Sequence, residues 1–279
     1  MSGGEGVLSG LKLLEGYRVP TYYSQGAKNR AKELSKIAEN SIHFIREFFE
    51  SDVQNTLLVL DEEDWNRRIK VPYGLIVGRD NILWYPTVEE DNPVYGNMVS
   101  YYESCPNTLK QELDSVLTGS DSPFLTACLV WWDSLMVHEY MHNFASGDRV
   151  FFGLRWFEEF FADYFTYAFL KRYKDDKRLE LKLFELLSRI MYEGGRSIVR
   201  HTSLMDFERL YVGVGAANYC WYHGKFNIGA MELYKVYGEG FIKHVIYAYK
   251  PSNDVLAQRL EATSKGLGDW FKNWLEKNP

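Results

Sequence analysis

Cysteine is scarce in this sequence of 279 residues, and there is no excess of positive charge. Its three cysteines, Cys105, Cys128 and Cys220, form neither a C-x-x-C pair nor a disulfide framework, which favours a reducing compartment. The net charge is −6 and the Lys and Arg residues are scattered, so the basic patch that nucleic-acid binding requires is not expected.

Long apolar runs are missing as well. The longest, residues 124–132, is far shorter than the ~20 residues that a membrane-spanning helix needs. Residues 1–20 do not combine a basic start with an apolar run, so they do not resemble a signal peptide. We therefore expect a soluble, cytoplasmic protein that interacts with neither membranes nor nucleic acid.

The composition is otherwise typical of a globular protein. Hydrophobic residues make up 46% of the chain and charged residues 25%, which allows a large core. Aromatic residues reach 16%, with 8 Trp, 20 Tyr and 17 Phe. Most of these rings are expected to fill the core, and the alternative is that some line a substrate cleft.

The hydrophobic pattern predicts a mixed first part of the chain. Residues 27–49 have apolar positions at helical spacing, and residues 55–60 form a short apolar run that indicates a buried strand. Residues 71–85 indicate two strands joined in a hairpin at Gly-Arg-Asp-Asn. Residues 86–122 are rich in loop-forming residues and are predicted to be a long loop, with one helix near 109–117.

Beyond residue 124 helical patterns dominate. They cover residues 124–146, 155–174, 177–192, 215–237 and 240–249 and the C-terminal tail. The predicted fold class is therefore α+β. We expect an N-terminal α/β lobe over 1–103 and a helical lobe over 104–279, joined in one unit.

One helix of the second lobe contains the pattern H-E-x-x-H. His138 and His142 lie four residues apart, so their imidazoles share a helix face and can hold two corners of a tetrahedral zinc site. Glu139 follows His138 and is rotated from it by about 100° around the helix, so it can reach a metal-bound water as general base. The flanking residues are mostly apolar, so a solvated polar face with two unrelated histidines explains the pattern poorly.

A third ligand is expected on the next helix. Glu159 and Asp163 are four residues apart in the segment 155–165, RWFEEFFADYF. Glu159 is the candidate metal ligand, and Asp163 can accept the remaining N–H of a ligand histidine. The alternative is a solvated acidic stripe, which the surrounding Phe residues disfavour because buried carboxylates need positive charge beside them.

Together these motifs resemble those of the gluzincin class of zinc metallopeptidases, which includes thermolysin and the aminopeptidase-N family. The second helix is similar to the aminopeptidase form W-x-x-E-x-x-A, matched by Trp156, Glu159 and Ala162. Glu158 lies where these families often have Asn, so Glu159 is preferred as the ligand. The short spacing from the first motif implies a tight connection over 145–154.

The resemblance implies a set of residue roles. His138, His142 and Glu159 would bind one Zn²⁺ per chain, Glu139 would be the general base, and Asp163 would hydrogen-bond to His138. It also implies a zincin-like fold, in which the zinc site lies at the junction of the two lobes.

A hydrolase of this type also needs a hydrogen-bond donor for the oxyanion of the intermediate. Within the segment 218–226, Tyr222 is the first candidate for this donor, and Tyr219 and His223 are the alternatives. The run 73–85 is expected to contain an edge strand that holds extended substrate.

The predicted function is zinc-dependent hydrolysis of peptide bonds in a peptide or protein substrate. Whether cleavage is internal or terminal, and how many chains assemble, is left open. One alternative is a metal-stabilised binding or scaffold protein without turnover. Another is a hydrolase that acts on a non-peptide substrate.

Overall fold

The computed structural model describes residues 4–49, 54–87, 93–147, 153–246, 257–258, 260–262 and 266–277. Its strands all lie in the first third of the chain and the rest is mainly helical, so the α+β prediction is confirmed. The described strands are β1 (Lys12–Leu14), β2 (Thr21–Tyr23), β3 (Thr56–Leu60), β4 (Val77–Arg79) and β5 (Ile82–Pro86).

The described helices come before, between and after these strands. In chain order they are α1 (Gly4–Leu8), α2 (Lys28–Arg46), α3 (Glu62–Arg68), α4 (Pro93–Ser104), α5 (Asn107–Val116), α6 (Pro123–Gly147), α7 (Arg155–Arg172), α8 (Arg178–Gly195), α9 (Leu204–Leu210), α10 (Ala216–Tyr237), α11 (Gly240–Ile246) and α12 (Leu267–Lys277). A short 3-10 helix, Tyr211–Val214, follows α9. In the described part of the chain, no helix combines the length and apolarity needed to cross a membrane.

The sheet is mixed and has the order β1-β2-β3-β5-β4. Strand β3 pairs in parallel with both β2 and β5, whereas β1 and β4 are antiparallel to their neighbours. The turn between β4 and β5 contains Asp80 and Asn81 with φ of 53° and 61°, the left-handed conformation that a type I′ hairpin requires. The predicted hairpin is thus confirmed, and β4 lies at one edge of the sheet.

Strand β3 is buried on both faces, which explains its continuous apolar sequence. Leu57 and Val59 belong to the main core, whereas Leu58 and Leu60 pack with Trp65 on the other side of the sheet. The main core includes residues of both predicted lobes. The predicted boundary at residue 103 falls in the last turn of α4, and the division into two lobes stays a prediction.

Helices α6 and α7 form the centre of the helical part. Helix α7 packs against α6 on one side and against α10 on another, and nearly all of its side chains from Trp156 to Leu170 are buried. A helix that is apolar around its whole circumference must be covered on all sides. Any polar side chain in this region therefore has to find its partners inside the protein.

A polar cluster fixes α6 against the sheet. Asp133 of α6 accepts hydrogen bonds from Arg30 of α2 (3.1 Å, Nη1 to Oδ2) and from the Tyr85 hydroxyl of β5 (2.5 Å). The Arg30 guanidinium also donates to the Tyr85 oxygen over 3.2 Å. Because three elements meet at one carboxylate, the position of α6 relative to the strands is well defined.

The prediction of a long loop over 86–122 was wrong in part. Residues 93–104 form α4, in addition to α5, where one helix was expected. Met98 and Tyr101 of α4 are buried and the helix packs against α8, so tertiary burial outweighs a composition that favours loops. The predicted tight connection over 145–154 includes residues 148–152, and the predicted helix over 240–249 includes 247–249. Both of these segments lie outside the described residues.

Candidate metal centre

Helices α6 and α7 bring three possible ligand atoms together. His138 Nε2 lies 3.1 Å from His142 Nε2 and 3.1 Å from Glu159 Oε2, and His142 Nε2 lies 3.7 Å from the same Glu159 oxygen. Ligands of a tetrahedral zinc site, each about 2.0–2.1 Å from the ion, are separated by about 3.3–3.4 Å. The three atoms, called the donor triad below, therefore have the spacing of a zinc site.

Asp163, one helical turn after Glu159, orients His138. Its Oδ1 is 2.9 Å from His138 Nδ1, and both side chains are buried. A charged carboxylate can only accept, so the Nδ1–H of His138 donates to it, and Nε2 faces the other two atoms of the donor triad. Asp163 lies where it was expected on the basis of its spacing from Glu159.

The electrostatics of the site require positive charge. Burial raises the pKa of the Glu159 carboxyl, but the charge of His142 and a hydrogen bond from His138 hold it well below its ordinary value. Burial also raises the pKa of Asp163, whereas the charge of His223 and hydrogen bonds from His138 and His223 lower it overall. The His138 imidazole loses basicity through burial, yet hydrogen bonds to Asp163 and Glu159 raise its pKa well above the ordinary value. Two buried carboxylates thus stay ionised because cationic charge lies between them.

Glu139 is anchored by the edge strand of the sheet. Its Oε2 accepts a hydrogen bond of 2.8 Å from the backbone N–H of Gly78 in β4. A Cβ atom at residue 78 would lie 2.8 Å from that oxygen and 3.0 Å from the Glu139 backbone oxygen, so only glycine allows this approach. The edge strand expected within 73–85 therefore lies directly beside the candidate base.

Tyr222, the first candidate for the oxyanion donor, does not reach the donor triad. The side chain is fully buried, its hydroxyl donates to the Ser203 carbonyl over 2.6 Å, and its ring packs on Phe207. Residues 219 and 223 are four apart on α10 and share a face, whereas residue 222 is rotated from 223 by about 100°. The expectation for Tyr222 is therefore corrected, because helix geometry directs its two alternatives to the site instead.

Both alternatives lie beside the donor triad. His223 is buried, with Nδ1 2.9 Å from Asp163 Oδ2 and Nε2 3.8 Å from Glu159 Oε2. The Tyr219 ring packs on His223 with centroids 4.7 Å apart. His138, Glu159 and His223 also form a second group of possible metal ligands, whose ligand atoms all lie within 4.8 Å of one another.

Tyr211 is a site residue that the sequence did not reveal. Its hydroxyl donates to Glu159 Oε1 over 2.6 Å, while the other oxygen of Glu159 belongs to the donor triad. The backbone φ of Tyr211 is 50°, a conformation that is rare for aromatic residues and that surrounding contacts must impose. With 20 tyrosines in the chain and no motif around this one, no sequence signal distinguishes it.

A small cavity of about 90 Å³ opens beside the histidines. Its polar side is formed by His138, Glu139, Tyr219 and His223. Its apolar side is formed by Leu75, Ile76, Trp131, Trp132, Leu135 and Cys220. Larger clefts of about 560 and 260 Å³ are lined by other residues of the described surface. The small cavity is thus the one that adjoins the candidate base Glu139.

No family model matches this chain, and no curated protein or solved structure matches it either. The resemblance to gluzincins therefore stays a prediction that rests on the residues of the two motifs. The function has to be argued from the chemistry of the site itself.

Proposed function

We propose that this protein is a zinc-dependent hydrolase of gluzincin type, and that it is a peptidase. The observation that supports this most directly is the donor triad, whose atoms lie 3.1 to 3.7 Å apart on two buried helices. Glu139 adjoins it without belonging to it. A purely structural zinc site has no use for such a base.

The residues of the donor triad suit zinc in kind as well as in spacing. Two imidazole nitrogens and one carboxylate oxygen are a common ligand set for catalytic zinc. Without a metal, the positive charge that the two carboxylates need comes from the neighbouring histidines: His142 and His138 for Glu159, and His223 and His138 for Asp163. A divalent cation would supply that charge and neutralise the same buried carboxylates.

The remaining residues then have defined tasks. A zinc ion at this site would acidify a water molecule and polarise a carbonyl group. Glu139 is held at Oε2 by Gly78, which leaves Oε1 to take a proton from the attacking water and pass it to the leaving amine. The adjacent backbone of β4 offers a sheet edge on which an extended peptide can align.

Tyr219 replaces Tyr222 as the proposed donor to the oxyanion. It lines the same cavity as Glu139, and burial raises its pKa well above the ordinary value, with a smaller contribution from the charge of Glu159. The hydroxyl therefore keeps its proton, as a hydrogen-bond donor must. In the described structure this hydroxyl interacts with that of Tyr211.

The substitution Glu139→Gln tests the proposal. The amide keeps the shape of the side chain but cannot act as a base, so we expect chelator-sensitive peptide hydrolysis to fall by about 10²–10⁴-fold. Zinc content, measured by elemental analysis, should be unchanged because Glu139 is not in the donor triad. Glu63→Gln, on the exposed surface of α3, is the matched control. Full hydrolysis by Glu139→Gln with zinc bound would reject Glu139 as the base.

A metal-stabilised binding protein without turnover is the second candidate. The observation that favours it is the small size of the cavity, about 90 Å³, which offers little room for a substrate. Zinc should raise the unfolding temperature in both cases. A fluorogenic peptide library assayed with and without chelator separates them, since only a peptidase gives a signal that the chelator abolishes.

A further inference from the structure

His223 is held in the same way as His138. One carboxylate, Asp163, accepts from both rings: Oδ1 is 2.9 Å from His138 Nδ1, and Oδ2 is 2.9 Å from His223 Nδ1. Histidines that ligate metals usually donate their second N–H to a carboxylate in this manner. Asp163 therefore orients two imidazoles at once, although the sequence spacing suggested only one.

The tautomer of His223 follows from this contact. Because a charged carboxylate can only accept hydrogen bonds, the proton of a neutral His223 ring is on Nδ1. Its Nε2 then carries a lone pair. In that form the ring cannot donate a hydrogen bond from Nε2 to a substrate oxygen, but it can bind a cation.

The position of His223 matches that of His142. The Nε2 atoms of these two residues lie 3.8 Å and 3.7 Å from the same Glu159 oxygen. Their ring centroids lie 5.2 Å and 4.8 Å from that of His138. The two rings thus lie at similar distances from the Glu159 carboxylate and from the His138 ring.

We propose that Nε2 of His223 is a fourth protein ligand of the cation held by the donor triad. Without substrate the metal is then coordinated by three imidazoles and one carboxylate. A reacting group has to enter as a fifth ligand or displace His223. This inference rests on the metal site of the proposed function and is independent of whether the protein hydrolyses peptides.

X-ray absorption spectroscopy of the zinc-loaded wild-type protein tests the proposal directly, because it counts the imidazoles bound to the metal. Three imidazoles are expected, and two would overturn the proposal. The second test compares Co²⁺ binding in His223→Phe, which retains an aromatic ring, with binding in wild type. When a residue that only orients a metal ligand is removed, metal affinity already falls by about 10–100-fold. If His223 is itself a ligand, the Kd for Co²⁺ should therefore rise at least tenfold in His223→Phe.

The control for the second test is His201→Phe, since His201 is paired with Asp206 away from the donor triad. An unchanged Kd and an unchanged Co²⁺ visible spectrum in His223→Phe would overturn the proposal. The outcomes are distinguishable from failure of the proposed function. Three bound imidazoles without peptide hydrolysis would support the fourth ligand and reject the peptidase. Two bound imidazoles with hydrolysis would support the peptidase and reject the fourth ligand. A wild-type protein that binds no metal would reject both.

Discussion

The contact between Gly78 and Glu139 leads to the most specific prediction, for Gly78→Ala. The φ of Gly78 is not in the left-handed region, so alanine is compatible with the backbone and only space is limiting. The new Cβ would meet Glu139 at 2.8 Å (Oε2), 3.0 Å (backbone O) and 3.3 Å (Cβ), closer than van der Waals contact allows. Two of these three atoms are fixed by the position of α6, so β4 has to move away.

The displacement has two consequences of different size. Crowding of a packed contact lowers the free energy of unfolding by about 1–3 kcal/mol. Since domains ordinarily have an unfolding free energy of about 5–15 kcal/mol, the variant should stay folded. The hydrogen bond from Gly78 lengthens or breaks, so the Glu139 carboxylate is no longer held in one position. Because misplacing a catalytic group by about 1 Å can reduce turnover 10²-fold, we expect kcat to fall by about 10–100-fold.

The assay is chelator-sensitive peptide hydrolysis, together with zinc affinity and thermal unfolding. Zinc Kd should remain within about twofold of wild type, since Gly78 touches none of the donor triad. Gly96→Ala in α4 is the control, because the added Cβ meets no atom of the described residues within 4 Å. Unchanged kcat in Gly78→Ala would refute the reasoning that the edge strand positions the base, and a large loss of zinc would show that the strand supports the metal site instead.

Five further substitutions examine the ligand and donor assignments. Glu159→Ala should abolish tight zinc binding, measured by chelator competition, whereas Glu158→Ala should not; the reverse result would exchange the two assignments. Tyr219→Phe should lower kcat by about 10²–10³-fold with little change in zinc affinity, and Tyr222→Phe should leave kcat unchanged, as expected if only the former donates to the oxyanion. Tyr211→Phe keeps the ring and removes the hydrogen bond to Glu159, so zinc Kd should rise about 10–100-fold, and equal affinities would reject a role in orienting that ligand.

The sequence by itself determined those features that depend on the geometry of a single element. The four-residue spacing of His138 and His142 places both rings on one face of α6, and the same holds for Glu159 and Asp163 on α7. The hairpin at Asp80 and Asn81 is likewise local, because its turn conformation follows from residue type. Such features could be predicted without knowledge of the neighbours.

Only the tertiary structure decided which elements meet. Gly78 anchors Glu139, Tyr211 holds one oxygen of Glu159, and His223 shares Asp163. These contacts depend on how β4 packs against α6 and on where α10 and the 3-10 helix before it lie relative to α7. The periodicity of a helix fixes the direction of each side chain relative to the helix axis. Which of the 20 tyrosines, and which of the adjacent α10 residues, lies at the site depends on the burial of surfaces that are distant in sequence.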